Sequence, residues 1–361
     1  MSRRFVNLLV TKLSGGRPAF NLHRIDPARL FSPTRSPKSA DQDATKKAPA
    51  SDLAPARLPP AAISFDWPCS GNNQVGWMDF MALKNDIIAV DHEGHTVVYD
   101  GADCAVGAMN SMVHPRRCSI SLTVGDGLYA MDVDPGLSRQ VNHFQALTYG
   151  PSFGKCLRPE DWYWRHLQPP PLDDDQYECN NDYAARVPNP CAIGAYTVFS
   201  GSQIWLSTVG AGTYSFNTTS RTWSKIGEWA LPFKGLAKYV PEYGLWFGFS
   251  DSDGQLCVSD LTMMPPVKQN SWEVLPVPGG WIPMASHFLP LGSGKFCVVR
   301  FFQVIKRRRP RPPLYDSQKV ENFAVVTGVK FDSSAGPGSL RLITHKSKRY
   351  RFGEDEDVKL V

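Results

Sequence analysis

The sequence predicts an all-β fold, a β-propeller of about six four-stranded blades. Three observations predict it. A short apolar strand phrase recurs along the chain, usually after Gly or Asn/Asp. Asp-Gly and Glu-Gly turns join such phrases to a second apolar run. Gly (29 residues) and Pro (30 residues) are scattered throughout the 361 positions, as many short strands joined by turns require. Hydrophobic content of 42% and aromatic content of 11% are enough for a substantial core.

The recurring phrases are Asn85-Asp86-Ile87-Ile88-Ala89-Val90, Gly127-Leu128-Tyr129-Ala130-Met131, Ser202-Gln203-Ile204-Trp205-Leu206, Gly244-Leu245-Trp246-Phe247-Gly248-Phe249 and Gly294-Lys295-Phe296-Cys297-Val298-Val299. Their first large apolar residues stand at 87, 128, 204, 245 and 296, with spacings of 41, 76, 41 and 51. The two equal spacings match one blade, and removing an insertion of roughly 30 residues returns the long one to the same range. Val6 precedes Ile87 by 81 residues, so the N-terminal segment falls in phase once a Pro-rich stretch is set aside.

Within a repeat the first strand leads through a tight turn to a second. This occurs around Glu93-Gly94 and around Asp253-Gly254, where Gly accepts a positive φ without steric cost. The third repeat is the clearest: Gly212-Thr213-Tyr214-Ser215-Phe216 runs into the polar turn Asn217 to Arg221 and a strand bearing Trp223. The next repeat ends similarly on Ser271-Trp272-Glu273-Val274-Leu275.

The phrase of strand, Gly, Thr-Tyr-Ser-Phe-Asn, polar turn and Thr-Trp-Ser resembles the kelch repeat. With the start Met1-Ser2-Arg3-Arg4-Phe5-Val6-Asn7-Leu8 and the run Phe323-Ala324-Val325-Val326-Thr327-Gly328-Val329, the chain resembles a large grass and cereal family of kelch-like propellers, a plant domain of unknown function. The resemblance implies a kelch-like propeller, and no F-box-like helical segment precedes the repeats. A regular Gly-Gly pair after the first strand of each blade is missing, so the blade number stays at about six.

The domain reading is a single propeller over 3–352. Arg3 to Val10 and Phe20 to Ile25 read as a hairpin around Ser14-Gly15-Gly16. The competing reading is a transit peptide over residues 1–25, because Arg3, Arg4, Lys12, Arg17 and Arg24 precede the first acid, Asp26. Gly15, Gly16 and Pro18 interrupt the helix a transit peptide needs, which favours the hairpin. Residues 32–60 carry six prolines among Ser, Ala, Lys and Asp and lack the apolar area to offset ordering, so they are expected to be a disordered insertion. Residues 151–191, rich in Trp, Pro and Asp, are expected to be a loop insertion, and 353–361 an acidic tail.

Charge narrows the functional classes. The net charge is +5, yet residues 1–60 hold 11 Lys/Arg against 4 Asp/Glu, leaving 28 basic and 30 acidic groups on the other 301 residues. A nucleic-acid-binding face across the fold is therefore not expected. The eight cysteines include no Cys-x-x-Cys pair, and no signal-peptide pattern opens the chain, so reduced thiols in the cytoplasm or nucleus are expected, or in an organelle if residues 1–25 are a transit peptide. No run approaches 18 uninterrupted apolar residues, so no membrane span is expected.

Five features invite a functional reading. Trp162-Tyr163-Trp164 could anchor an interface, beside the acidic Asp173, Asp174 and Asp175; the alternative is that the rings cap the open edge of an inserted strand. Lys306, Arg307, Arg308, Arg309 and Arg311 form a basic run of the kind that serves as a nuclear-import signal or as an electrostatic contact to nucleic acid, or else a basic loop with no reader. Asp91-His92-Glu93-Gly94-His95 spaces its histidines three apart across a glycine and reads as a hairpin tip rather than a metal site. Asp251-Ser252-Asp253-Gly254 resembles the start of a calcium loop but lacks the closing Glu, so a turn is expected. The remaining histidines, 23, 114, 143, 166, 287 and 345, are isolated in sequence, and no ligand set is read from them.

No catalytic constellation, cofactor or metal site is expected. The functional expectation is a monomeric, non-catalytic scaffold for an unidentified protein partner. The alternative is a small-ligand-binding or enzymatic propeller using the channel mouth.

Overall fold

The computed structural model describes residues 4–14, 17–31, 53, 55–66, 76–115, 119–133, 144–151, 160–172, 191–208, 210–307, 318–332, 340–353 and 356–361. No α-helix occurs among them. One turn of 3-10 helix, Pro27–Leu30, follows Asp26, whose Oδ1 accepts from the Ala28 amide at 2.9 Å. Among the described residues no helix is long and apolar enough to cross a membrane.

The chain opens with β1 (Val6–Ser14), β2 (Arg17–Ile25), β3 (Pro55–Ala56) and β4 (Ala61–Asp66). Strands β5 (Met78–Leu83), β6 (Asp86–Asp91), β7 (Thr96–Tyr99) and β8 (Val106–Met109) form a four-stranded sheet in that order. So do β9 (Ser119–Val124), β10 (Gly127–Asp132), β11 (Phe144–Gly150) and β12 (Asp161–His166). Next come β13 (Ile193–Phe199), β14 (Gln203–Thr208), β15 (Gly212–Asn217) and β16 (Thr222–Gly227), then β17 (Lys234–Val240), β18 (Leu245–Phe249), β19 (Leu256–Ser259) and β20 (Asn270–Trp272). These eight form one sheet whose two runs of four are joined where β13 and β17 pair in parallel at Ala195↔Gly235 and Tyr196↔Leu236. Strands β21 (Trp281–Gly292), β22 (Lys295–Arg307), β23 (Gln318–Asp332) and β24 (Arg341–Phe352) are joined at one edge by β3. Finally β25 (Val358–Leu360) pairs with β1, giving the order β25-β1-β2-β4. This all-β arrangement of several four-stranded sheets is consistent with a β-propeller-like fold.

Each of the five recurring phrases is the second strand of its run of four, β6, β10, β14, β18 and β22, and β1 takes the same place in the N-terminal sheet. The reason is burial on both faces. Four consecutive residues of β6 are buried, and so are the last four of β18, whereas the fourth strands β8 and β16 are largely exposed. A strand covered on both sides reads as a continuous apolar run, which is what made these phrases recognisable. The turns behave as their chemistry requires. Gly94 has φ +89°, and a Cβ there would lie 2.0 Å from the Met112 carbonyl oxygen. Gly254, with φ +63°, donates its amide to the Ser250 carbonyl at 3.0 Å.

Two compact units make up the chain. The first comprises Met1–Asp66, Gln255–Cys257 and Asn270–Leu360. Its core joins Val6, Leu8 and Val10 of β1 to Val299 and Phe301 of β22, Ala324 and Val326 of β23, and Tyr350 and Phe352 of β24. The opposite face of β22 and β23 presents Phe302, Phe323 and Val325 to Leu275. The second unit comprises Trp67–Gly254, Val258–Gln269 and Val361. One of its clusters centres on Phe144 and Phe216, in edge contact at 4.8 Å between ring centroids, with Trp223 at 5.0 Å from Phe216. Another joins Met81, Ile88, Leu128, Leu147 and Trp164.

Three segments read from the sequence as insertions or a tail contain strands. Asp161–His166, within the expected loop insertion, is the fourth strand of the β9–β12 sheet. Val358–Leu360, in the expected acidic tail, is a strand because Val358 and Leu360 pack on the β1 core while Lys359 points out. Pro55–Ala56, in the expected disordered insertion, pairs in parallel with Arg349 and Tyr350, with Ala56 and Leu58 packed against the same core. The rest of that insertion up to residue 52, and residue 54, lies outside the described residues.

Candidate functional site

The β9–β12 sheet brings together most of the chemistry in the second unit. Antiparallel register sets Tyr149 opposite Trp162, Leu147 opposite Trp164 and Gln145 opposite His166. Because side chains alternate along a strand, Trp162, Trp164 and His166 share one face, above the row Tyr149, Leu147, Gln145. The segment Asn110–His114 accompanies this face. Asn110 Nδ2 donates to the Trp162 carbonyl at 2.8 Å and to Asp161 Oδ2 at 3.0 Å, Met112 joins the core cluster, and the His114 carbonyl accepts from Gln145 Nε2 at 2.8 Å.

The face changes character along its length. At one end Tyr149 is 58% exposed and meets Trp162 edge-on, with ring centroids 5.9 Å apart. In the middle Trp164 is buried, and its Nε1 donates to Thr96 Oγ1 at 3.2 Å. At the other end the rings of His114 and His166 lie 5.0 Å apart beside the buried Gln145 amide. Burial, and then the neighbouring His114, push the His166 pKa down.

Of the sequence-predicted anchors, only part therefore remains at the surface. Trp164 belongs to the core and is not available to a partner. Trp162 is half-buried and carries the exposed Tyr149 with it. Tyr163 lies on the opposite face, where the Arg165 guanidinium sits 6.0 Å from its ring centroid and Arg165 Nε donates to Thr148 Oγ1 at 2.7 Å. The acidic neighbours among the described residues are Glu160 and Asp161, both exposed; Asp173, Asp174 and Asp175 lie outside the described residues. Tyr149 and the His114–His166 pair escaped sequence reasoning. Tyr149 carried a usable signal, since it stands two residues beyond Leu147 in the alternation of β11. The histidines carried none, being far apart in sequence.

The other candidates resolve locally. Asp91 Oδ1 accepts the amides of Glu93 and His95, each at 2.9 Å, and Asp91 Oδ2 lies 2.8 Å from His95 Nδ1. The tip is thus organised by its own aspartate, which also raises the His95 pKa. Lys268 Nζ donates to Asp253 Oδ2 at 2.8 Å and to the hydroxyls of Ser250 and Ser252, so a protein cation occupies the calcium-like turn. Lys306 and Arg307 are the last residues of β22, opposite Lys319 and Gln318; Arg308, Arg309 and Arg311 lie outside the described residues. Among the described residues, no group of three His, Cys, Asp or Glu side chains is placed to hold a metal ion.

A family model described as "Protein of unknown function (DUF1668)" matches residues 3–350. The chain belongs to the DUF1668 family. The match spans both units, so this DUF1668 chain owes its described sheets, including β9–β12, to the family region, while β25 lies beyond it. No match is found among curated proteins. Among solved structures, an auxiliary nutrient binding protein from Bacteroides thetaiotaomicron is similar at 8% identity and a TM-score of 0.35, over 77% of this chain. The DUF1668 chain spans 62% of that protein's length.

Proposed function

We propose that this DUF1668 protein is a non-catalytic, kelch-like propeller of the grass and cereal type that presents one end of the β9–β12 sheet to a protein partner. The observation that carries the reading is Tyr149, 58% exposed on a strand and braced edge-on by Trp162. A lone exposed tyrosine is ordinary, but a ring held rigid by a second, half-buried aromatic loses little side-chain entropy when a partner covers it. Such paired aromatics are characteristic interface anchors. Exposed Glu160 and Asp161 border the pair, which suits a partner with basic residues around an apolar centre. Strand β12, which carries Trp162, lies at the sheet edge, and Asn110 donates to its Trp162 carbonyl.

Affinity capture from native tissue, with the intact chain and with a Tyr149→Ala/Trp162→Ala variant as paired baits, tests the reading. It predicts proteins retained by the intact chain and lost by the variant while the variant melts near the wild-type temperature. Identical captures from both baits would refute it. The basic run beginning at Lys306 supports a nuclear location. Replacing Lys306, Arg307, Arg308, Arg309 and Arg311 by Ala in a fluorescent fusion should abolish nuclear accumulation, and unchanged accumulation would remove that part of the proposal.

A further inference from the structure

We propose that His114, His166 and the side-chain amide of Gln145 form a binding site for one divalent transition-metal ion, zinc being the best fit. The site occupies the polar end of the β9–β12 face, opposite the aromatic end, and does not depend on the protein-binding reading.

The first argument is separation. The two imidazole centroids are 5.0 Å apart with the rings tilted by 51°. Zinc binds imidazole nitrogen at about 2.0–2.1 Å, which puts each ring centroid about 3.2 Å from the ion, and a tetrahedral angle then sets two centroids about 5 Å apart. The histidine pair already stands at that spacing, whereas two protonated imidazoles would repel one another.

The second argument is an acceptor without a donor. Gln145 is 2% exposed and lies directly opposite His166 on the same face. Its Nε2 donates to the His114 carbonyl at 2.8 Å, which fixes the orientation of the amide, since the flipped form would set two carbonyl oxygens against each other. Oε1 is therefore the remaining atom, and it is buried with no hydrogen-bond partner. A buried, unpaired acceptor has lost its hydration without compensation. A cation held by the two adjacent imidazoles would satisfy it.

The donor set of two imidazoles and one amide oxygen suits zinc, nickel or copper better than calcium or magnesium, which take oxygen ligands. Three protein ligands leave a fourth position for water.

Calorimetric titration of the full-length chain with zinc chloride tests the site. The expected result is saturable binding of one ion per chain, with an upward shift of the melting temperature. His166→Ala and His114→Ala should each weaken binding at least tenfold and abolish that shift. The metal-free melt of each variant, compared with that of the wild type, separates ligand loss from misfolding. Gln145→Leu should weaken binding by a smaller factor. Absence of saturable binding would overturn the proposal. So would full-strength binding in both histidine variants, which would place the ion elsewhere, for instance at the Asp91–His95 tip.

Discussion

Trp162 and Trp164 stand two residues apart on one face of one strand, yet the structure gives them different work. Trp164 is 8% exposed, packs among Leu128, Leu147 and Ile88, and donates its indole N–H to Thr96. Trp162 lies only partly against that cluster and braces a tyrosine that is mostly in solvent. Same residue type, same strand and same face do not make the same role; what differs is whether the neighbouring elements cover the ring. The comparison teaches that an aromatic triplet in a sequence is not a binding site until its coverage is known.

The sharpest way to break this comparison is to truncate both rings separately. Trp164→Ala should destabilise the fold by about 3–5 kcal/mol, because it removes a large buried side chain and leaves a cavity. Chemical denaturation of the purified variant would measure it, and a loss below about 1 kcal/mol would contradict the core assignment. Thr96→Val comes next. The buried Thr96 hydroxyl accepts from Trp164 Nε1 and donates to the Gly94 carbonyl at 3.1 Å; its loss leaves the buried indole N–H unpaired, while the Gly94 carbonyl keeps the Met112 amide at 2.8 Å, and should cost about 1–3 kcal/mol. Trp162→Ala should cost about 1 kcal/mol or less in the same assay while reducing partner capture, since its ring is only half covered.

Two histidines carry the comparison into pH dependence, with the smallest expected effect. Asp91 raises the pKa of His95 by a hydrogen bond and by its charge, so the contribution of that contact is present below the unfolded value near 6.5 and lost as pH rises through the folded pKa. Burial, followed by the charges of Lys330 and Lys295, lowers the pKa of His345. For His345 the unfolded chain takes up the proton more readily, so stability falls as pH drops from near 6.5 towards the folded value. His95 is exposed and its contact is screened, so His345 should dominate. Melting temperatures from pH 7.5 to 5.5 should fall less for His345→Gln than for the wild type; parallel curves would count against the assignment.

How much of this was legible in the sequence follows from burial. The second strands were readable because both faces are covered, so Ile87-Ile88-Ala89-Val90 and Leu245-Trp246-Phe247-Gly248-Phe249 stand out as apolar runs. Strand β12 was not, because Asp161-Trp162-Tyr163-Trp164-Arg165-His166 places aromatic rings on both faces and never alternates in polarity. Strand β25 was hidden for another reason: three residues carry little pattern, and their partner β1 is at the other end of the chain. The Asp-Gly and Glu-Gly turns were legible because their backbone requirement is local. The histidine pair was not, because only the register of β11 with β12 and the path of Asn110–His114 bring it together.

The most direct test of the graded β12 face is hydroxyl-radical footprinting of the intact chain, free and with the protein it captures. In the free chain Tyr149 should oxidise fastest, Trp162 more slowly and Trp164 least, and the partner should protect Tyr149 and Trp162 while leaving Trp164 unchanged. Equal oxidation of the two tryptophans, or a partner that protects neither Tyr149 nor Trp162, would contradict the account.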